Sequence, residues 1–210
     1  MVRGRSQEIG RRARQDAYRQ LVLEAAEGVF ARKGYDDTKM EEIAREAGLS
    51  LGTVYSVLEG KAEIFRAVHE FGDRALLERG IECARGIDDP AEVVLSGLRS
   101  MAEYFVEHPD FLRMHLRESL PWGMEAAGAG SRQRTEAWKE GMRMLTRSFE
   151  RCIDEGLFHP GDARLLARMA VSMMQVALAT WVEDGMQREA VAVVDEIQEQ
   201  VRRSFARTVG

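Results

Sequence analysis

Residues 44–61 read AREAGLSLGTVYSVLEGK, and two incompatible structures can be written on them. Gly48-Leu49-Ser50-Leu51-Gly52 matches the G-x-S-x-G pattern of a nucleophile elbow, which needs a buried strand running into the serine and a helix leaving it. The preceding residues deny that strand. Thr38 stands three positions before Glu41, a capping box that opens a helix through Ile43, Ala44 and Ala47. A helix that stops at Gly48, followed by one that starts at Ser50, makes a helix-turn-helix instead. Such a pair needs a small residue where the backbones approach, a glycine with positive φ in the turn, and apolar residues at the contact. Ala44 and Gly48 meet the first two needs, and Ile43, Ala47, Leu49, Val54 and Val57 the third. Ser50, Leu51, Gly52, Thr53, Tyr55 and Ser56 are left facing outward, the set that would enter a major groove, with Gly52 permitting close approach to a duplex. The free N–H groups at the start of that helix also suit phosphates.

Upstream, Leu21, Val22, Ala25, Ala26, Val29 and Phe30 recur at helical spacing, and Gly34 is a natural C-terminal stop. Before position 20 stand Arg3, Arg5, Arg11, Arg12, Arg14 and Arg19 against only Glu8 and Asp16, on a chain whose net charge is −5. The overall acidity argues against general coating of nucleic acid. A basic arm on an acidic body is either a local phosphate-seeking device or a solvated tail.

Downstream the helical period continues. Apolar positions mark a long helix after Gly60 with Ile64, Phe65, Val68, Phe71, Leu76, Leu77 and Ile81, then one after Asp89-Pro90 with Val94, Leu98, Met101 and Phe105. His108-Pro109 opens a short segment through Leu116, Gly123 to Ser131 reads as a loop, and helices follow over Thr135 to Ile153, Asp162 to Glu183 and Ala190 to Arg207. Alternating β-branched runs closed by turn dipeptides are absent. The expectation is an all-α protein of about nine helices, with the domain seam in the helix after Gly60.

At 210 residues, 45% apolar and 31% charged, the chain can bury a substantial core. The most apolar stretch, Met169 to Val182, reads as too short to span a bilayer, and the arginine-rich start lacks the apolar region of a secretion signal. An intracellular protein without membrane attachment is expected. Cys83 and Cys152 have no His or Cys neighbours at metal-ligand spacing, so they read as reduced thiols, and neither metal nor cofactor is expected.

The stretch ARKGYDDTKMEEIAREAGLSLGTVYSVLEGKAEIF resembles the DNA-binding region of the TetR family of transcriptional regulators. Phe30, Gly34-Tyr35, Thr38, Ile43-Ala44, Ala47-Gly48-Leu49-Ser50, Gly52-Thr53, Tyr55 and Lys61 carry the resemblance. It implies a helix-turn-helix domain over residues 1–60, with its basic arm, and a ligand-binding and dimerisation domain over residues 61–210. It also implies a homodimer, in the cytoplasm, that binds a palindromic operator as a repressor and is released by a small molecule. Carried over by position, Thr38 and Lys61 resemble phosphate contacts and Ser50, Thr53, Tyr55 and Ser56 the groove-facing set, while Arg12 and Arg14 could add phosphate or minor-groove contacts. The family often has a second Thr at Lys39, an aromatic or His at Val57, an aromatic at Leu58 and a Glu at Ala62. Lys39 then replaces the phosphate donor that Val57 lacks, and Leu51 leads the groove face with an apolar side chain.

In the second half, Met and aromatic residues concentrate between Met101 and Trp181. Most suit an ordinary core, yet unbranched thioethers also suit a pocket for varied apolar shapes. Met101, Tyr104, Phe105, Met114, His115, Trp122, Trp138, Met142, Phe149, Met173 and Gln175 are the candidate walls for a small apolar or aromatic effector, with Tyr104, His115 and Gln175 as polar anchors. Glu118 and the loop from Pro121 to Ser131 could form a lid. Ala170, Ala177 and Trp181, with the stripe Val191, Val194, Ile197 and Val201, read either as a dimer surface or as internal packing. Effector binding between the helices spanning Ala91 to Val106, Thr135 to Ile153 and Asp162 to Glu183 would tilt the helix carrying Ile64 to Ile81 and so change the spacing of two reading heads. The rivals are a helical carrier or adaptor whose head no longer reads DNA, and a serine hydrolase acting through Ser50.

Overall fold

The computed structural model describes residues 2–117, 122–124 and 134–207, with side chains from Glu8 onward. Among these residues there are nine helices and no strand: α1 (Val2–Asp37), α2 (Met40–Glu46), α3 (Leu51–Val57), α4 (Lys61–Cys83), α5 (Pro90–Glu107), α6 (Pro109–Leu116), α7 (Glu136–Asp154), α8 (Ala163–Glu183) and α9 (Ala190–Phe205). A single isolated bridge pairs Phe158 with Ala206. The all-α expectation holds. Backbone contacts divide the chain into Met1–Phe71 and Gly72–Gly210, a boundary inside α4, the helix after Gly60.

In the first unit, α1 breaks at Gly34, whose φ of 81° only glycine takes cheaply. The break frees the Gly34 carbonyl, and the Thr38 hydroxyl donates to it at 2.6 Å. Thr38 is thereby occupied and 2% exposed. The N-cap of α2 is consequently Lys39, one residue later than expected, and its N–H donates to Glu42 Oε2 at 3.2 Å, rather than a Thr38–Glu41 box forming. Gly48 turns the chain at φ 67°, and Leu49 N–H donates back to the Ala44 carbonyl at 2.9 Å. Ser50 then caps α3, its Oγ accepting from Thr53 N–H at 3.1 Å. Beneath these turns Phe65 meets Phe30 and Tyr35 edge-on at 4.9 and 5.2 Å, and Ile43, Ala44, Val54, Leu58 and Ile64 complete the core.

In the second unit, α5, α7, α8 and α9 pack against one another, and α6 lies on α5 and α8. Phe149, Phe158 and Phe205 close one end, with Phe149 5.3 Å from each of the other two rings. A second aromatic cluster joins Phe105, Phe111, His115, Trp122 and Trp138, with Phe105 and Trp122 stacked at 4.5 Å. Both of its indole N–H groups are satisfied: Trp122 Nε1 donates to the His115 carbonyl and Trp138 Nε1 to the Trp122 carbonyl, each at 3.2 Å. The apolar stretch Met169 to Val182, judged too short to span a bilayer, lies within the 21-residue α8, which is long and apolar enough by composition to cross a membrane. Its buried positions Ala163, Ala167, Ala170, Val171, Met174, Leu178 and Trp181 recur every three or four residues and pack into this core. Both cysteines are free, and burial pushes the Cys152 thiol up to about 12.

Gly72 is a glycine of necessity, because the Phe111 ring lies where its Cβ would stand. Gly72→Ala is expected to lower stability by about 1–3 kcal/mol, since the ring must leave its place in the aromatic cluster. Chemical denaturation with an unchanged slope but an earlier midpoint would register it.

Candidate functional site

The outward face of the helix-turn-helix forms as the spacing predicts. Gly52, Tyr55 and Ser56 are exposed, Leu51 and Thr53 half-buried, and Tyr55 presents 48% of its surface. Ser50 is exposed but engaged, hydrogen bonded to Thr53 through both N–H and hydroxyl, so the two act as one cap-and-contact pair. That geometry also removes the nucleophile reading. The segment before Ser50 is α2 rather than a strand, and the Ser50 hydroxyl serves the end of α3.

The basic arm is helical, part of α1, so Arg11, Arg12 and Arg14 sort by face. Arg11, Arg14 and Tyr18, spaced i, i+3 and i+7, line a recess of about 420 Å³ that reaches Ser56 of α3. Arg12, expected beside Arg14, points elsewhere and pairs with Glu8 at 2.9 Å. Arg11, rather than Arg12, therefore shares a recess with Arg14 and Ser56.

Two phosphate contacts carried over from the family are revised. The Thr38 hydroxyl is spent on Gly34, as described above. Lys61 Nζ donates to three carbonyls, Tyr35 at 2.8 Å and Asp36 and Thr38 at 3.0 Å each, and lies 4.6 Å from the centre of the Tyr35 ring. All three ammonium protons are used, and α4 is thereby fastened at its first residue to the α1–α2 turn. Lys39 remains exposed next to that turn. Lys61→Met is expected to cost about 2–3 kcal/mol, because three carbonyls lose a charged donor. Thermal unfolding monitored on the Tyr35 environment would measure it, and an unchanged midpoint would return Lys61 to a surface role.

The second unit holds an apolar cavity of about 120 Å³ between α4, α5, α7 and α8. Of the candidate walls, Met101, Trp138 and Met142 line it. Trp122 lines a neighbouring recess together with Trp138 and Met142. The others are corrections, because tertiary packing takes them into the core. Tyr104 lies against His108 and Phe111, Met114 is buried, and Phe105 and Phe149 belong to the aromatic clusters. Met173 is half-buried away from both recesses. His115 is fully buried, its Nε2 3.3 Å from Asp73 Oδ1, while Asp73 Oδ2 accepts from Thr135 Oγ1 at 2.7 Å. Gln175 accepts the Trp122 N–H at 2.8 Å. Glu118 and most of the Pro121–Ser131 lid lie outside the described residues.

What the sequence reading missed is the part of the wall made by absence. Gly80 of α4, Gly97 of α5 and Gly141 of α7 all line the cavity, and a Cβ built on any of them meets nothing within 4 Å. Glycine within a helix costs about 0.5–1 kcal/mol against alanine. Unlike Gly72, none of the three is required by a neighbour, so what they preserve is space. Three mid-helix glycines on three helices were the available signal. Leu76, Leu77 and Leu98 supply the apolar remainder, with Asp73 and Ser148 as the polar atoms.

Of the two readings of the α8 and α9 stripes, internal packing holds for most of the residues. Ala170, Trp181, Val194, Ile197 and Val201 are buried in the chain's own core and are unavailable to a partner. Ala177 is half-buried. Of that set only Val191 is exposed, at 60%. The exposed apolar residues of α8 are instead Leu165, Met169 and Val176, on the opposite side of the helix from Ala167, Ala170 and Met174.

The model for the bacterial regulatory proteins of the tetR family matches residues 22–68, the segment in which α2 and α3 form this face. The HTH-type transcriptional regulator YfiR of Bacillus subtilis (strain 168) is 30% identical over 148 residues, 66% of this chain and 67% of YfiR. YuxN of the same organism is 31% identical over 106 residues, 50% of this chain but only 36% of YuxN, so the match spans about a third of that relative. Among solved structures, the regulator FadR from Bacillus subtilis in complex with stearoyl-CoA superposes with a TM-score of 0.73 at 20% identity, over 87% of this chain and 96% of FadR. With its helix-turn-helix geometry, its all-helical architecture and these matches, the chain belongs to the TetR family of bacterial transcriptional regulators.

Proposed function

We propose that the protein is an effector-responsive repressor that binds a palindromic operator as a cytoplasmic homodimer and is released by a small apolar or aromatic molecule held in the α4–α5–α7–α8 cavity. The observation that carries the effector half is the trio Gly80, Gly97 and Gly141 opening onto that cavity. A fold relative that takes stearoyl-CoA supports the same half.

The cavity's size argues for how release works. About 120 Å³ is near the ~150 Å³ that admits benzene and well below the ~300–1,000 Å³ of sites for larger ligands. An effector bigger than a single ring must therefore push a wall outward. Backbones of α5, α7 and α8 pack closely on one another, whereas α4 approaches none of them as closely. So α4 is the wall that gives. It carries Leu76, Leu77, Gly80 and Ala84 on the cavity and Lys61 on the α1–α2 turn. A ligand shifts the equilibrium only by its differential affinity for the two positions of α4, typically about 1–3 kcal/mol.

For dimerisation, Leu165, Met169 and Val176 of α8 with Val191 of α9 supply the exposed apolar surface. Two-fold pairing would present two reading heads one helical turn of DNA apart, about 34 Å, or a multiple.

The test is fluorescence-anisotropy titration of the protein against its own upstream DNA and a scrambled control, across a salt series. Selective binding that weakens linearly on a log–log salt plot is the expected result. Equal weak binding to both would favour the adaptor reading and retire the operator.

A further inference from the structure

We infer that the effector is an amphipathic anion: its apolar part occupies the glycine-lined cavity, and its carboxylate or phosphate head sits in a cationic recess next door. The inference deepens the effector reading above and rests on it.

The recess measures about 370 Å³ and is lined by six cations, Arg134, Lys139, Arg143, Arg147, Arg164 and Arg168, with no carboxylate among the described residues of its wall. It is built by two helices in register. Arg143 and Arg147 stand one turn apart on α7, as do Arg164 and Arg168 on α8. Some of this charge is answered from outside: Glu136 pairs with Lys139, and Glu140 with both Arg143 and Arg147. Arg164 and Arg168 have no carboxylate partner among the described residues. Like charges gathered around a concavity repel one another, and an anion relieves that cost while accepting from several guanidinium groups at once.

The recess and the apolar cavity are neighbours through shared walls, since Trp138 and Met142 line both. Trp138 and Met142 thus stand between the apolar space and the arginines. The floor is firm: Trp122 N–H is held by Gln175, and Gly123 lies so close on the backbone of Arg168 that a Cβ there would stand 2.7 Å from the Arg168 carbonyl oxygen. A purely apolar effector uses the cavity alone and leaves the cations as they are. An anion with an apolar tail uses both.

Three probes with one tail separate the possibilities: dodecyl phosphate, dodecanoate and dodecanol, each below its aggregation concentration. Binding to the full chain is followed by quenching of the tryptophan emission from Trp122 and Trp138, with calorimetry as a check. At least one anion is expected to bind about tenfold or more tightly than the alcohol, and the order of the two anions identifies the head group. In the Arg164→Gln/Arg168→Gln variant the anions should fall to the alcohol's level, while the alcohol's own affinity stays within about twofold, which also reports an intact fold. Equal affinity for anion and alcohol, both weakened by Gly141→Leu, would overturn the anionic head and leave the apolar effector standing. Anion binding lost in the double arginine variant but indifferent to Gly141→Leu would overturn the joint site and the cavity reading with it. No binding of any of the three would sink both.

Discussion

Leucine in place of Gly141 is expected to lower effector affinity by about 100-fold while leaving operator affinity unchanged. Gly141 sits in the middle of α7 with open space where its Cβ would be, on a cavity of about 120 Å³ that an isobutyl group would largely fill. The added Cβ meets nothing within 4 Å, so the overpacking penalty that follows Gly72→Ala does not arise there. Helix propensity moves the other way, because leucine replaces glycine within a helix with a gain of up to about 1 kcal/mol. The variant should therefore be more stable when free and deaf to effector, held on its DNA at concentrations that release the parent. A 100-fold change corresponds to about 2.7 kcal/mol of lost binding. Calorimetric titration gives the affinity and a melting curve the stability. Unchanged affinity would remove the cavity from the effector site, and a large loss of stability would mean that the open space at Gly141 is needed by the fold.

Tyr55→Ala should abolish selective operator binding and leave the fold as it is. Tyr55 is the largest exposed side chain of α3, on the face away from Val54 and Leu58, and no core contact depends on it. A groove contact discriminates by about 1–3 kcal/mol, and a two-fold dimer loses it twice, so affinity should fall between about 30-fold and 20,000-fold at constant salt. Non-specific binding should survive, because it rests on the cations of α1, Arg11 and Arg14 among them, near Ser56. The diagnostic is thus selectivity: parent and variant converge on scrambled DNA and diverge on the operator. If they diverge equally on both, Tyr55 contacts phosphate and the reading falls to its neighbours on α3.

The helix-turn-helix was legible because it is local. Gly48, Ser50 and Ala44 act within one turn of their own positions, through a positive φ, a cap and a close approach, and each follows from residue type alone. For the same reason the Ser50 elbow could be rejected from the helix preceding it. Where a local choice had two answers, sequence alone chose wrongly: Thr38 and Lys39 are both able to precede α2, and the carbonyl released by the break at Gly34 decided between them.

The effector site and the dimer face were legible only in outline, because periodicity marks an apolar face without naming what covers it. Met101 and Met142 line space while Met114 is buried, and nothing in their own neighbourhoods of sequence differs in kind. His115 reads from sequence as an anchor for ligand, yet it is fully buried, with its Nε2 3.3 Å from Asp73, a residue distant in the chain. Val194, Ile197 and Val201 of α9 were offered to a partner subunit and belong to the interior, while Leu165, Met169 and Val176 of α8 remain outside. Sequence by itself determined the helices, their turns and the reading head, since those depend on interactions within a few residues. Only the tertiary structure decided which glycines open onto space, which arginines converge on one recess and which apolar stripe stays uncovered. Those properties belong to the gaps between helices, and a gap is defined by side chains that meet from far apart in the chain.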